Sequence, residues 1–162
     1  MPFAHGPVLA YVGRGQYRTV GTTEYVGATD RITIPDGFPT DLASVPRIFW
    51  WLLPPSGVYE SAAVLHDFGC TSLADGTCDI SSRDVDGLFR RVAREGDADL
   101  VTRWLLWTGV RWGALVNPAR RAGWWRDAPI VLTITAVALA VAAAVLLGLH
   151  AAVDLALFLF WH

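Results

Sequence analysis

Apolar and polar positions along this chain fall into three regimes. Over residues 7–35, short runs alternate with glycine-containing breaks: "VLAYVG", "QYRTVG", "TEYVG" and "RITIP". Their β-branched and aromatic residues suit a pleated, half-buried surface, and the breaks are too short for parallel crossovers. The pattern predicts a small antiparallel β-meander of three or four strands, left through the turn-rich "IPDGFPTD". From Pro46 the period lengthens. "RIFWWLL" reads as a short apolar helix started by Pro46, whose missing N–H costs nothing in a first turn. Ser44 or Thr40 would cap it, and Pro54-Pro55 would stop it. A second helix is expected from about Gly57 to Phe68, ending at Gly69. A third begins at "ISSRDVD" with Ser81 or Ser82 as cap. Its Val85, Leu88, Phe89 and Val92 recur at i, i+3, i+4 and i+7 and mark one buried stripe, ended by Gly96. A fourth should run from about Ala98 to Leu115, before "NPARRAG" breaks the pattern.

The third regime is "PIVLTITAVALAVAAAVLLGLH". Residues 130–149 carry no charge and no strong polar group beyond two threonines. About twenty apolar residues at 1.5 Å each match the roughly 30 Å hydrocarbon core of a bilayer. The threonines are able to bond back to their own helix, which keeps the backbone satisfied in lipid. Trp124 and Trp125 stand where an interfacial aromatic belt belongs, with Arg120, Arg121 and Arg126 on the same side. The positive-inside tendency then places the N-terminal domain in the cytoplasm of a single-pass cell-membrane protein with a C-terminal anchor. The closing "AAVDLALFLFWH" is too short for a second crossing. It is expected to extend a tilted span, lie in the interface or form half of a hairpin, with Asp154 needing a partner in lipid.

The expected architecture is therefore α+β: a small antiparallel meander, a helical region and a C-terminal transmembrane helix. Residues 1–118 would form the soluble domain, 119–128 a basic and aromatic linker, 129–149 the span and 150–162 an apolar tail. Composition sharpens this division. The 162 residues are 53% hydrophobic and 17% charged, against about 25% charged in ordinary soluble domains, and the apolar excess is concentrated after Asp127. The net charge of −2 and scattered arginines argue against nucleic-acid binding and leave a lipid bilayer as the implied partner. The N-terminus "MPFAHGPVLAYVG" lacks the layout of a signal peptide. Cys70 and Cys78 alone make no zinc signature; plain thiols are the expected state, ahead of a disulfide or a pair of metal ligands.

Candidate chemistry sits at the rims of the apolar segments. Asp41 stands in the turn "TDLASVPR", His66-Asp67 close "AAVLHDFG", and Asp84 and Asp86 flank the stripe of the third helix. On the second helix Val58, Ala62 and Leu65 share a face with His66 at its margin. Asp67 would point away unless the helix ends there, as Gly69 suggests. Periodicity does not choose between Asp84 and Asp86. Imidazole and carboxylates are ligands for zinc, manganese or iron, and a carboxylate beside histidine raises its basicity. The plainer alternative has Asp41 as a helix cap, His66 satisfied in the core, Asp67 paired with Arg47, and Asp84 and Asp86 as N-terminal dipole residues. There is no Gly-x-Ser-x-Gly elbow, no phosphate loop and no His-Glu-x-x-His helix.

The order "TDLASVPR", "AAVLHDFG", "SSRDVDGLFRRV" and "WLLWTGVRWGA" resembles the phage- and prophage-associated family catalogued as domain of unknown function 1353. The resemblance covers roughly residues 35–114. It singles out Thr40, Asp41, Ser44, Arg47, His66, Asp67 and Asp86, and so selects Asp86 over Asp84. The chain departs from that pattern at Gly69-Cys70, where an aromatic residue is usual, and in its C-terminal span. The resemblance implies a shared polar site without naming a reaction. The expectation is a metal-assisted hydrolase with Asp41, His66, Asp67 and Asp86 as catalytic residues. His66, Asp67 and Asp86 would hold a divalent metal ion, supported by Thr40, Ser44 and Arg47. The rival expectation is a non-enzymatic, membrane-anchored phage assembly or lysis-module protein.

Overall fold

The computed structural model describes residues 3, 5–27, 31–43, 45, 47, 50, 53–54, 56–77 and 80–161. The fold is α+β, and the chain divides into two compact units, Met1–Trp124 and Trp125–His162.

Among the described residues of the first unit five strands run in order: β1 (Leu9–Gly13), β2 (Gln16–Thr19), β3 (Thr23–Val26), β4 (Arg31–Ile34) and β5 (Pro39–Thr40). All pairings are antiparallel, as the short breaks require. The strands sort into two sheets, one ordered β1-β2-β5 and one holding β3 and β4. The β1–β2 hairpin turns on Arg14 and Gly15, both with positive φ, which matches the right-handed twist of its strands. β5 is too short to register in the hydrophobic pattern and is placed by a turn. Gly37 takes φ 73°, the Thr19 hydroxyl donates to the Pro35 carbonyl at 2.7 Å, and it accepts from the Phe38 amide at 2.8 Å. The Gly21 amide donates to Asp36 at 2.7 Å. The chain thus doubles back so that Thr40 pairs with Tyr17.

Among the described residues three α-helices follow: α1 (Glu60–Ala74), α2 (Ser82–Glu95) and α3 (Leu100–Val116). Ser81 caps α2, accepting from the Asp84 amide, and Asp99 caps α3, accepting from the Val101 and Thr102 amides. Val85, Phe89 and Val92 of the expected stripe are buried, and Phe89 and Val92 meet Tyr25, Ile34, Ala62, Val64 and Leu65 in the core cluster. Each fully enclosed aliphatic side chain there contributes about 1.5–3 kcal/mol. On α3 the buried face carries Leu106, Trp107, Arg111 and Ala114, while Leu100 and Val101 are exposed.

The expected stop at Gly69 is not where α1 ends. The helix runs on to Ala74 because Gly69 faces α2: a Cβ there would meet Val85 Cγ1 at 3.0 Å. The glycine permits close helix contact and leaves the hydrogen-bond ladder intact. Of the expected helix over "RIFWWLL", residues 46, 48, 49, 51 and 52 lie outside the described residues, as does Ser44, proposed both as its cap and as a site residue.

The second unit is dominated by α4 (Ala128–Trp161), 34 residues long and therefore roughly 51 Å. It is long and apolar enough to cross a bilayer. Thr133 and Thr135 donate to the carbonyls of Pro129 and Val131, both at 2.8 Å, so their hydroxyls are satisfied within the helix. The tail beyond residue 149 continues the same helix. His150 Nε2 lies 3.5 Å from Asp154 Oδ2, one turn on. Trp124, expected at the interface, belongs to the first unit instead. Its ring is buried beside Trp112 and its Nε1 donates to the Arg111 carbonyl at 2.7 Å. Trp125 is 77% exposed.

Candidate functional site

His66 and Asp67 are adjacent on a regular helix, so their side chains diverge, as 100° per residue dictates. His66 turns inward and is 9% exposed. Its Nε2 lies 2.8 Å from Asp86 Oδ1 on α2. Asp86 is fully enclosed, whereas Asp84 stays on the surface and accepts from the Ser81 hydroxyl at 2.6 Å. The inward aspartate is thus the one that the family resemblance singled out.

Asp86 does not serve His66 alone. Arg111, fully buried on α3, donates to Asp86 Oδ2 at 2.7 Å. Arg120, from the segment after α3, donates to Asp86 Oδ1 and, through Nε, to the Ser82 hydroxyl at 3.3 Å. Arg120 Nη2 also lies 3.3 Å from His66 Nε2. That approach is not a hydrogen bond, because Nε2 already carries the proton given to Asp86. One carboxylate therefore ties α1, α2, α3 and the following segment together. A buried charge is tolerable on these terms: each is matched and hydrogen-bonded.

Cys70 Sγ stands beside the ring, 3.6 Å from Nε2. His66 Nδ1 is 3.9 Å from Asp67 Oδ1 and 3.8 Å from Cys70 Sγ. At that separation Asp67 acts on the ring by charge rather than through a hydrogen bond. Burial by itself would push the His66 pKa down. The carboxylates of Asp67 and Asp86, with Cys70 adding in the same sense, outweigh it and hold the pKa well above the ordinary histidine value. Asp67 Oδ2 accepts from the Thr40 hydroxyl at 2.5 Å, and that hydroxyl accepts from the Leu42 amide at 3.0 Å. β5 is thereby fastened to α1.

Between β5 and α1 opens a cleft of about 300 Å³ lined by Gln16, Pro39, Thr40, Asp41, Asp67, Cys70 and Thr71. Thr40, Asp41 and Asp67 thus come together at its wall, with His66 behind them and Asp86 deeper still. Arg47 goes elsewhere: its guanidinium lies over the Trp50 ring, 5.1 Å from the centroid. Asp67 takes its hydrogen bond from Thr40, not from the arginine that the plainer reading assigned to it.

Of the expected metal set of His66, Asp67 and Asp86, the third is paired with arginines. Asp86 is committed to two guanidinium groups, one on each oxygen. Among the described residues no group of three His, Cys, Asp or Glu side chains is placed to hold a metal.

Three members of the site were missed in the sequence. Arg111 had a readable signal: it follows Trp104 and Trp107 and precedes Ala114 at helical spacing, a lone charge on an apolar face. Arg120 was assigned to a basic linker, and nothing local announces a pairing with a residue 34 positions earlier. Cys70 falls just past the expected helix end at Phe68-Gly69, whereas α1 runs to Ala74 and carries it. It is a free thiol; Cys78 lies outside the described residues.

The family described as "Protein of unknown function (DUF1353)" matches residues 18–110. That stretch runs from β2 into α3 and includes Thr40, Asp41, His66, Asp67, Cys70 and Asp86. Comparison with curated proteins and with solved structures returned no match.

Proposed function

This chain belongs to the DUF1353 family, and from that premise we propose that it is a membrane-anchored hydrolase whose cleft between β5 and α1 uses His66 as its acid–base group. The observation that carries this reading is the two-sided setting of His66. One nitrogen is fixed by a buried carboxylate, and the other lies 3.9 Å from Asp67 and 3.8 Å from Cys70, which line an open cleft. A held imidazole with one nitrogen available is suited to moving a proton between a nucleophile and a leaving group. Thr40, Asp41 and Asp67 supply hydrogen-bonding and negative charge at the wall. Because Asp86 is spent on Arg111 and Arg120, the reading needs no metal. α4 supplies the anchor, and Arg121 and Arg126 at its N-terminal side favour a cytoplasmic domain.

The full chain in detergent micelles, assayed against chromogenic esters, amides and phosphoesters, tests this. We expect turnover of at least one class, insensitive to chelators, and a fall of about 10²–10⁴-fold in His66→Gln. Equal rates in both proteins for every class would remove the hydrolase reading.

A second reading is favoured by the enclosed Asp86, which accepts from groups on three sides. In that reading the cluster is a structural tie and the domain is a membrane-anchored interaction protein, such as a component of a phage assembly or lysis module. His66→Gln would then lower the melting temperature and change no chemistry.

A further inference from the structure

We propose that Cys70 is the nucleophile of this site: its thiol attacks an acyl carbon held in the cleft, His66 carries the proton, and Asp86 orients the ring. This rests on the hydrolase reading and names its covalent step. Cys70 follows His66 by one helical turn, so both project from the same side of α1. Its Sγ is 3.8 Å from Nδ1 and 3.6 Å from Nε2. In the neutral ring Nε2–H is committed to Asp86, which leaves Nδ1 to receive the thiol proton. Asp86 cannot swing away, because Arg111 and Arg120 hold both of its oxygens. A nucleophile, a base and a third group that fixes the base are thus in sequence, and the nucleophile stands at the open end. Cys70 lines the cleft while His66 and Asp86 lie behind it.

The chemistry balances with water alone. As the Sγ–C bond forms, the S–H proton passes to Nδ1. The bond from carbon to the leaving oxygen or nitrogen breaks, and the leaving group takes that proton. Water then attacks the thioester, gives its proton to Nδ1, and the C–S bond breaks as sulfur recovers it. An ester or amide and one water become an acid and an alcohol or amine. Asp41 and Asp67 on the cleft wall select an acyl donor that carries positive charge beside the scissile group, such as a lysine- or arginine-derived ester or amide. The Gln16 side chain on the same lining supplies a neutral hydrogen-bonding group.

Two measurements on the full chain in micelles test this. The first needs no substrate: iodoacetamide labelling read by mass at Cys70, in wild type and His66→Gln, with circular dichroism confirming that both are folded. We expect labelling about tenfold slower without the imidazole; equal rates would overturn the inference. The second uses p-nitrophenyl esters of N-acetyl-lysine and N-acetyl-glutamate. We expect a burst, an acyl adduct on Cys70, a preference for the lysine ester of about tenfold, and loss of the burst in Cys70→Ser and Cys70→Ala. If Cys70→Ala keeps the wild-type rate while His66→Gln loses it, water is the direct nucleophile: the inference fails and the hydrolase reading stands. If both variants keep the rate, both fall.

Discussion

Between Met1 and Trp124 some of the most deeply enclosed side chains are charged, Asp86 and Arg111 among them. Along α4 the opposite holds: Leu139, Leu146, Leu155 and Phe158 stand exposed. The first unit hides charge and α4 displays hydrocarbon. The difference teaches which surroundings each tolerates. In water, a buried carboxylate survives when cations and hydrogen bonds are arranged around it. In lipid, such partners are scarce, and the sequence of α4 simply omits charge, apart from His150 and Asp154, which sit beside each other.

The contrast breaks most completely if charge is forced onto α4. Leu139→Arg combined with Leu146→Arg costs about 2.5–3.5 kcal/mol for each arginine near a bilayer centre. Carbonate-washed membranes should lose the doubly substituted protein to the soluble or aggregated fraction; retention in the pellet would contradict the anchor. Next in size is the reverse experiment on the first unit. Asp86→Ala leaves Arg111 and Arg120 without their shared carboxylate and should cost about 3–5 kcal/mol, read as a large drop in melting temperature. Asp84→Ala, two residues away on the surface, should cost about 0.5 kcal/mol. Equal effects would mean that the enclosed cluster is not what holds the helices.

The smallest effect is a pH dependence. Asp67, Cys70, Asp86 and Arg120 all face His66. Its folded-state pKa is raised above the unfolded value near 6.5. Protonation therefore favours the folded state. The stabilisation is full below about pH 6.5 and fades as pH climbs through the raised pKa. Melting temperature followed from pH 6 upward should fall more steeply in wild type than in His66→Gln. Parallel curves would show that the imidazole does not take up the proton differently on folding.

Much of this was legible in the residues. Strand hairpins, the stripe on α2, the cap at Ser81 and the apolar length of α4 follow from local periodicity and turn chemistry. So does the divergence of His66 and Asp67, given a regular helix. What stayed hidden depends on contacts distant in sequence. β5 exists because Thr19 clamps a turn sixteen residues away. Gly69 reads as a helix stop in one dimension and as a contact point in three. Arg120 reads as a membrane flank until Asp86 is seen to claim it. The setting of Asp86 was hidden for the same reason: carboxylate and imidazole are ligand types, but only the fold reveals that this carboxylate is shared by two arginines.

Gly69 carries one last consequence. Its lone hydrogen against Val85 fixes the rotational phase of α1. A turn of a single residue, about 100°, would present Asp67 to the buried carboxylate and carry the imidazole off toward solvent. A position with no functional group of its own therefore decides which functional groups look into the hollow.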